Sequence, residues 1–130
     1  MAENNDDKKN AVLLERKGAI AHLKFNRPGT MNSVNGDLCA GLVRFLDELA
    51  EDDSIKAVVL SGEGRSFCAG GDLQTIDEIC KSEPDSIYSR LRKDFNAIER
   101  LFYFNKPTIA AIHGKVMGGG CGFYAACDFV

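Results

Sequence analysis

The sequence predicts an α/β domain whose sheet is mostly parallel. Strand-like apolar runs alternate with segments whose apolar residues recur every three or four positions, and this order is typical of strands joined by right-handed helical crossovers. Two glycine clusters, "FCAGGD" at 67–72 and "MGGGCG" at 117–122, each follow an apolar run and precede a helix-like segment. Because ligands of open α/β sheets bind where strands end, both clusters are candidate parts of a site.

Composition and charge limit the function classes. The 130 residues are 45% hydrophobic and 27% charged, as expected for one globular domain. A net charge of −3 gives no basic field that would attract nucleic acid or a membrane surface, and no apolar run reaches the roughly 20 residues of a membrane-spanning helix. Residues 1–10 are polar and have no signal-peptide or transit-peptide character. We expect a disordered tail there, on a cytoplasmic or organellar-matrix protein (mitochondrial or peroxisomal) that is not secreted.

The first half of the chain predicts two strands, a loop, a helix and a third strand. "AVLLERKGAIAHLKFN" gives two strands joined at Lys17-Gly18, and "RPGTMNSVNG" has loop composition. Asn35 or Asp37 can cap the helix that follows. Its predicted buried face comprises Leu38, Leu42, Phe45 and Leu49. The run "IKAVVLSG" predicts a strand buried on both sides, with the first glycine cluster directly after it.

The second half predicts two helices, a strand and a last helix. Residues 73–80 suit a short helix, and Ser82 can cap a longer one with Pro84 in its first turn. The apolar stripe of the longer helix comprises Ile87, Leu91, Phe95, Ile98 and Phe102. "KPTIAAIHG" predicts a second buried strand, and "CGFYAACDF" predicts a buried helix of small residues. Phe129 and Val130 begin another apolar run, so we expect the domain to be truncated at its C-terminal side.

The five cysteines indicate reduced thiols rather than disulfides or a metal site. Their number is odd, no CxxC pair occurs, and several have small or apolar neighbours. A zinc site would need tighter cysteine spacing with histidines nearby, and we expect His22 and His113 to be structural residues on strands. Cys68 or Cys121 as a nucleophile is an alternative for which the sequence supplies no histidine motif.

The glycine clusters favour close approach of a ligand to the backbone. A helix that starts directly after a strand presents free N–H groups, and glycine removes the Cβ that would block them. Two such groups, one from each turn, can converge on one oxygen as an oxyanion hole. The alternative is that "GGGCG" only lets a helix pack tightly on the sheet. Neither a phosphate loop nor a dinucleotide-binding GxGxxG motif occurs.

Three blocks, "HLKFNRPGTMNSV", "IKAVVLSGEGRSFCAGGDL" and "KPTIAAIHGKVMGGGCGFYAACDFV", resemble the enoyl-CoA hydratase/isomerase (crotonase) superfamily in order and spacing. The resemblance covers 11–130 and corresponds to the N-terminal half of family members. It implies a crotonase-like ββα-superhelix with a mostly parallel sheet. It also implies an acyl-CoA thioester of fatty acid metabolism as substrate, with CoA carried by the substrate and no other cofactor or metal, and a homotrimer or hexamer.

The same resemblance assigns site residues. The oxyanion donors fall on the N–H groups of Gly71 and Gly119. Substrate or CoA contacts fall on Thr30, Met31, Ala69, Gly70, Asp72, Leu73, Gln74 and Gly118. Gln74 and Gly29 stand where some members carry lysines, so the resemblance implies weaker phosphate contacts unless Arg27 or Lys115 compensates.

One departure from the family pattern bears on the reaction. Hydratases of the family carry a glutamate at the position of Gly122, and glycine cannot transfer a proton. The second hydratase carboxylate would lie beyond Val130. Hydration by paired glutamates is therefore disfavoured, and the resemblance leaves the isomerase branch open, because its single base can come from further along the chain. A thioesterase resembling the 3-hydroxyisobutyryl-CoA hydrolases, which also have glycine here, and a non-catalytic acyl-CoA-binding relative are the alternatives. We expect Asp72 to have a loop or helix-cap role, with a catalytic role as the alternative, and Asp128 to be structural.

Overall fold

The computed structural model describes residues 10–130, and the predicted tail at 1–10 lies, except for Asn10, outside the described residues. The described part contains six strands, four α-helices and one 3₁₀ turn. In chain order they are β1 (Val12–Lys17), β2 (Ile20–Phe25), the 3₁₀ turn (Pro28–Thr30), α1 (Gly36–Ala50), β3 (Ala57–Gly62), β4 (Ser66–Cys68), α2 (Leu73–Cys80), α3 (Pro84–Phe102), β5 (Thr108–Ala110), β6 (Lys115–Val116) and α4 (Gly119–Ala125).

The main sheet confirms the predicted α/β architecture. Its order is β1-β2-β3-β5, in which β1 and β2 form an antiparallel hairpin and the other pairs are parallel. Burial alternates along β3, where Val58 and Leu60 are buried and Val59 is half-buried. The prediction that this strand is buried on both sides is therefore wrong, because in the described chain only one face of it points into the core.

A second, small sheet was not predicted from the sequence. After β3 the chain turns and enters β4, which pairs in parallel with β6. The first glycine cluster therefore follows β4 rather than β3, and the second follows β6. β4 has three residues and β6 has two. Strands this short show no alternating pattern of apolar and polar residues that could be recognised in the sequence.

Helix α1 begins as predicted, because the Asn35 side chain accepts a hydrogen bond from the Leu38 N–H at 3.0 Å. Leu46 is fully buried on this helix, whereas Phe45, which was predicted there, is only half-buried. Helix α3 begins after Glu83 without a side-chain cap. Ser82, the predicted cap, instead donates its hydroxyl to the Glu78 carbonyl at 2.7 Å.

The core joins the two sheets through aromatic rings. Phe25 of the main sheet packs against Phe67 of β4 at 5.5 Å between centroids and against Phe123 of α4 at 5.1 Å. All three side chains are fully buried. The core therefore holds β4 and α4, which carry the glycine turns, in fixed positions relative to the main sheet.

The predicted apolar stripe of α3 is only partly a core face. Ala97 and Leu101 are the buried residues of this helix, whereas Phe95 and Phe102 are 64% and 62% exposed in the described chain. Among the residues described, no helix has both the length and the apolar character required to cross a bilayer.

Candidate functional site

The two glycine turns lie side by side at one end of the small sheet. Because β4 and β6 run parallel, the chain leaves both strands at the same edge. Gly70 has φ +94°, and a Cβ added to it would lie 2.8 Å from the Met117 carbonyl oxygen and 3.5 Å from the Gly118 Cα. Contact between the turns thus requires glycine at position 70, both for space and for its backbone conformation.

A bridge to the preceding loop orients the Gly71 amide. The Val34 N–H donates to the Gly70 carbonyl at 2.7 Å, and the Asp72 N–H donates to the Val34 carbonyl at 3.0 Å. Gly71 is the residue between these two bonds in a parallel bridge, so its own N–H points to the opposite side. Within residues 10–130, this N–H donates to no backbone or side-chain acceptor.

The Gly119 N–H resembles the Gly71 N–H in that it also lacks a protein acceptor in the described chain. Gly119 is the first residue of α4, and the following amides of Gly120 and Cys121 donate to the Met117 and Gly118 carbonyls at 2.9 and 3.0 Å. The Gly119 N–H itself has no acceptor among the described residues. A Cβ added to Gly119 would lie 3.6 Å from Val34 Cγ2, which is ordinary contact, whereas one added to Gly71 would lie 2.9 Å from Ile76 Cδ1.

Both glycines line one cavity of about 180 Å³. Its other lining residues come from the Val34 loop, α2, α3 and α4, and are Val34, Asp72, Thr75, Ile76, Ile79, Leu91, Asp94, Phe95, Ile98 and Phe123. Drug-sized ligands occupy about 300–1,000 Å³, so this cavity suits the reacting end of a ligand rather than a whole nucleotide. Two residues whose N–H groups have no protein acceptor in the described chain thus line one mostly apolar space.

A larger open groove lies elsewhere, between α1 and α3. Its volume is about 990 Å³, and neither Gly71 nor Gly119 lines it. Charged side chains of both signs, including Arg44, Asp47 and Lys93, form much of its wall. We place the candidate site at the smaller cavity, because that is where the unpaired backbone donors are.

The Asp72 side chain stabilises the first glycine turn through three hydrogen bonds. Its carboxylate accepts hydrogen bonds from the Thr75 N–H at 3.0 Å, the Ser33 hydroxyl at 2.9 Å and the Arg27 guanidinium at 3.3 Å. Burial alone would raise the pKa of Asp72, but these three donors outweigh burial and hold the pKa below its usual range. The predicted helix-cap role is confirmed. Arg27, proposed as a phosphate contact, is occupied here by Asp72 and Ser33.

The remaining predicted contacts divide into two groups. Met31, which is 38% exposed, accepts a hydrogen bond on its carbonyl from the Ala69 N–H at 3.0 Å, so the 3₁₀-turn loop lies against the first glycine turn. The side chains of Thr30, Leu73 and Gln74 lie on the exposed surface. Thr30 donates its hydroxyl to the Arg27 carbonyl at 3.3 Å, and Gln74 donates to Glu78 at 3.3 Å.

Asn32, which was not predicted from the sequence as a site residue, fixes the loop. Its side chain is fully buried, with the amide donating to the Glu63 and Ser66 carbonyls at 2.9 and 2.8 Å. Its Oδ1 accepts from the Arg27 N–H at 2.8 Å. Asn32 also has φ +56°, a conformation in which asparagine is enriched. Only its type and its place in a loop hinted at this role.

Asp94 is the second residue that the sequence analysis missed. It is half-buried on α3 and lines the same cavity as Gly71 and Gly119. Burial raises the pKa of its carboxyl group, an effect that Arg90 and a hydrogen bond from Cys39 partly oppose. The available signal was one charged residue beside Phe95 and Ile98 in an otherwise apolar stripe.

The other candidate groups do not converge on the cavity. His113, predicted to lie on a strand, follows β5 instead and contacts the Gly64 carbonyl at 2.8 Å. Asp128 accepts from the Thr108 N–H at 2.8 Å, as its predicted structural role requires. Cys68 is buried, and burial raises the pKa of its thiol, which disfavours the thiolate that a nucleophile needs.

Gly122 lies against α3 rather than against open space. A Cβ added there would lie 2.8 Å from Ile98 Cδ1. A side chain at this position therefore requires Ile98 to move. In the present packing, the volume that a carboxylate at position 122 would enter is occupied by an apolar side chain.

Comparisons with known proteins identify the family and the fold of the chain. The family model described as "Enoyl-CoA hydratase/isomerase" matches residues 15–130. The chain is 36% identical over 129 residues to 4-chlorobenzoyl coenzyme A dehalogenase-1 of an Arthrobacter species, covering 98% of this chain and 46% of the relative. It is 34% identical over 120 residues to human mitochondrial Delta(3,5)-Delta(2,4)-dienoyl-CoA isomerase, covering 84% of this chain and 36% of the relative. The crystal structure of an enoyl-CoA hydratase from a Polaromonas species matches with a TM-score of 0.88 at 30% identity, covering 93% of this chain and 47% of that one. The chain therefore spans half or less of the length of these proteins.

Proposed function

The chain belongs to the enoyl-CoA hydratase/isomerase family, and from this premise we propose that it processes acyl-CoA thioesters by holding the thioester oxygen between two backbone N–H groups. The donors are Gly71 and Gly119. One observation carries the proposal: both glycines line a single cavity, and within the described chain neither N–H has a protein acceptor. Both residues are exposed in the described chain, so a ligand oxygen can reach the two N–H groups and replace solvent there.

Two fixed donors suit a reaction in which the carbonyl oxygen gains negative charge. Loss of a proton from the carbon beside the thioester carbonyl gives an enolate, and attack on the carbonyl gives a tetrahedral oxyanion. One donor in such a site is worth about 2.7–4 kcal/mol of transition-state stabilisation. The two hydrogen bonds that join Val34 to Gly70 and Asp72 fix the orientation of the Gly71 N–H before a substrate binds. Little reorganisation of this donor is therefore needed during the reaction.

We favour an enolate-forming, isomerase-like reaction over hydration by paired glutamates. Gly122 supplies no carboxylate, and Ile98 lies against it. The 3-hydroxyisobutyryl-CoA hydrolases also have glycine at the position of Gly122, so a thioesterase resembling them is the second candidate function. In either reaction the negative charge is held by backbone dipoles, and CoA enters as part of the substrate. A homotrimer or hexamer in the cytoplasm or an organellar matrix remains our expectation.

The proposal is tested by removing one of the two donors, the Gly119 N–H. Gly119→Pro deletes the N–H at the first position of a helix, where proline is well tolerated. Gly119→Ala is the matched control, because its Cβ would make ordinary contact with Val34 at 3.6 Å and its N–H is retained. In the full-length protein, we expect proline to lower turnover of a CoA thioester about 10²–10³-fold and alanine to lower it far less.

The two variants also separate catalysis from binding. Equal turnover in Gly119→Pro and the parent, with the same circular dichroism spectrum, would refute the role of Gly119. Binding of CoA thioesters by calorimetry without any turnover in the parent would favour the non-catalytic relative.

A further inference from the structure

The oxyanion site has two donors but no assigned group that moves a proton. Gly122 cannot serve, and we therefore consider the carboxyl groups that the described residues contribute to the cavity wall. Among its lining residues, those with carboxyl groups are Asp72 and Asp94. Asp72 is bound by Arg27, Ser33 and the helix backbone, which leaves it a positioning group.

We propose that Asp94 is the catalytic acid–base of this site, an inference that rests on the proposed function. Its carboxylate removes a proton from the carbon beside the thioester carbonyl. The C–H electron pair forms the new carbon–carbon π bond, and the carbonyl π pair moves to the oxygen held by Gly71 and Gly119. Return of the proton from the Asp94 carboxyl group, to the same carbon or further along a conjugated chain, restores the carboxylate and needs no other reactant.

The position of Asp94 supports this role. It shares the cavity wall with the two glycines, and its neighbours there on α3 are Leu91, Phe95 and Ile98. This wall is apolar, so an acyl chain can pack beside the carboxyl group. Asp94 also lines the groove between α1 and α3, so it lies between that groove and the cavity.

Burial and the neighbouring groups together set the basicity of Asp94. On its own helix it faces Arg90, whose guanidinium is shared with Glu78 at 3.3 Å. From α1 it faces the Cys39 thiol, which donates to the Asp94 carbonyl at 3.9 Å, and Asp72 lies on the same cavity wall. Burial raises the pKa of Asp94 despite Arg90, and a carboxylate with a raised pKa is the stronger base.

The test is exchange of the protons beside the carbonyl of butanoyl-CoA in D₂O, followed by mass spectrometry. A saturated thioester can only exchange, so the measurement isolates proton transfer from later steps. In the full-length protein we expect Asp94→Asn to slow exchange at least about 100-fold, with butanoyl-CoA affinity unchanged by calorimetry. The matched control is Asp85→Asn, the same substitution at an exposed position of α3 that does not line the cavity, and we expect parental exchange.

A second variant guards against a purely structural effect. Asp94→Ala leaves space for formate, and formate-dependent return of exchange would show that a carboxylate is needed at that place. Exchange in folded Asp94→Asn at the parental rate would overturn the proposal, as would a folded Asp94→Ala variant that formate does not rescue.

The outcomes also distinguish this inference from the proposed function. If the parent exchanges and Gly119→Pro does not, but Asp94→Asn does, the oxyanion site stands and only the role of Asp94 is refuted. If the parent binds butanoyl-CoA without exchanging its protons, the role of Asp94 is refuted, whereas the oxyanion site stands if Gly119→Pro lowers hydrolysis of the thioester.

Discussion

Replacing Gly70 with alanine should damage both the stability and the ligand site, because the two glycine turns meet at this residue. The added Cβ would lie 2.8 Å from the Met117 carbonyl oxygen, a backbone atom that cannot rotate away. At φ +94°, a non-glycine residue also stores backbone strain of about 1–3 kcal/mol. Overpacking adds about 1–3 kcal/mol, so we expect the free energy of unfolding to fall by about 2–6 kcal/mol.

Urea denaturation of the full-length protein measures this loss, and calorimetry with a CoA thioester measures the effect on the site. The control is Gly36→Ala, at the start of α1, where an added Cβ has no atom within 4 Å. Because alanine is the better helix former by about 1 kcal/mol, this variant should be as stable as the parent or more stable. The reasoning is refuted if Gly70→Ala loses less than about 1 kcal/mol, the lower bound of the strain alone, or if Gly36→Ala loses as much.

Two further predictions concern Asp72 and Gly122. The folded-state pKa of Asp72 is lowered, so its contribution to stability is present above its unfolded pKa of about 3.9 and disappears as pH falls through the folded-state pKa. Asp72→Asn should therefore remove part of the stability at pH 7 and flatten its pH dependence below about pH 4; unchanged acid titration of stability would contradict this. Gly122→Glu requires Ile98 Cδ1 to move, so Ile98→Ala should cost less stability in the Gly122→Glu background than in the parent, as urea denaturation of the four proteins measures. Equal costs in the two backgrounds would show that Ile98 is not the obstacle.

Much of the fold could be predicted because local and long-range signals agree. The Lys17-Gly18 turn, the Asn35 cap and the helix at 73–80 all have sequence signatures that the structure confirms. The errors occurred where tertiary contacts decide. Ser82 has the right type for a cap, but its hydroxyl bonds back to Glu78.

Of the candidate site, only the two glycine clusters could be predicted from the sequence. Clusters at strand ends could be recognised from spacing, and the structure places Gly71 and Gly119 on one cavity. The pairing of β4 with β6 that brings them together joins segments almost fifty residues apart, and nothing local encodes it. Asp94 escaped notice for a related reason: a helical period shows which residues share a face, but not what that face meets.

The most direct measurement is a crystal structure of the full-length protein with a bound CoA thioester or a stable enolate mimic. Our account predicts the thioester oxygen at about 2.7–3.1 Å from both the Gly71 and the Gly119 nitrogen. An oxygen held by only one of these nitrogens, or bound outside their shared cavity, would contradict it.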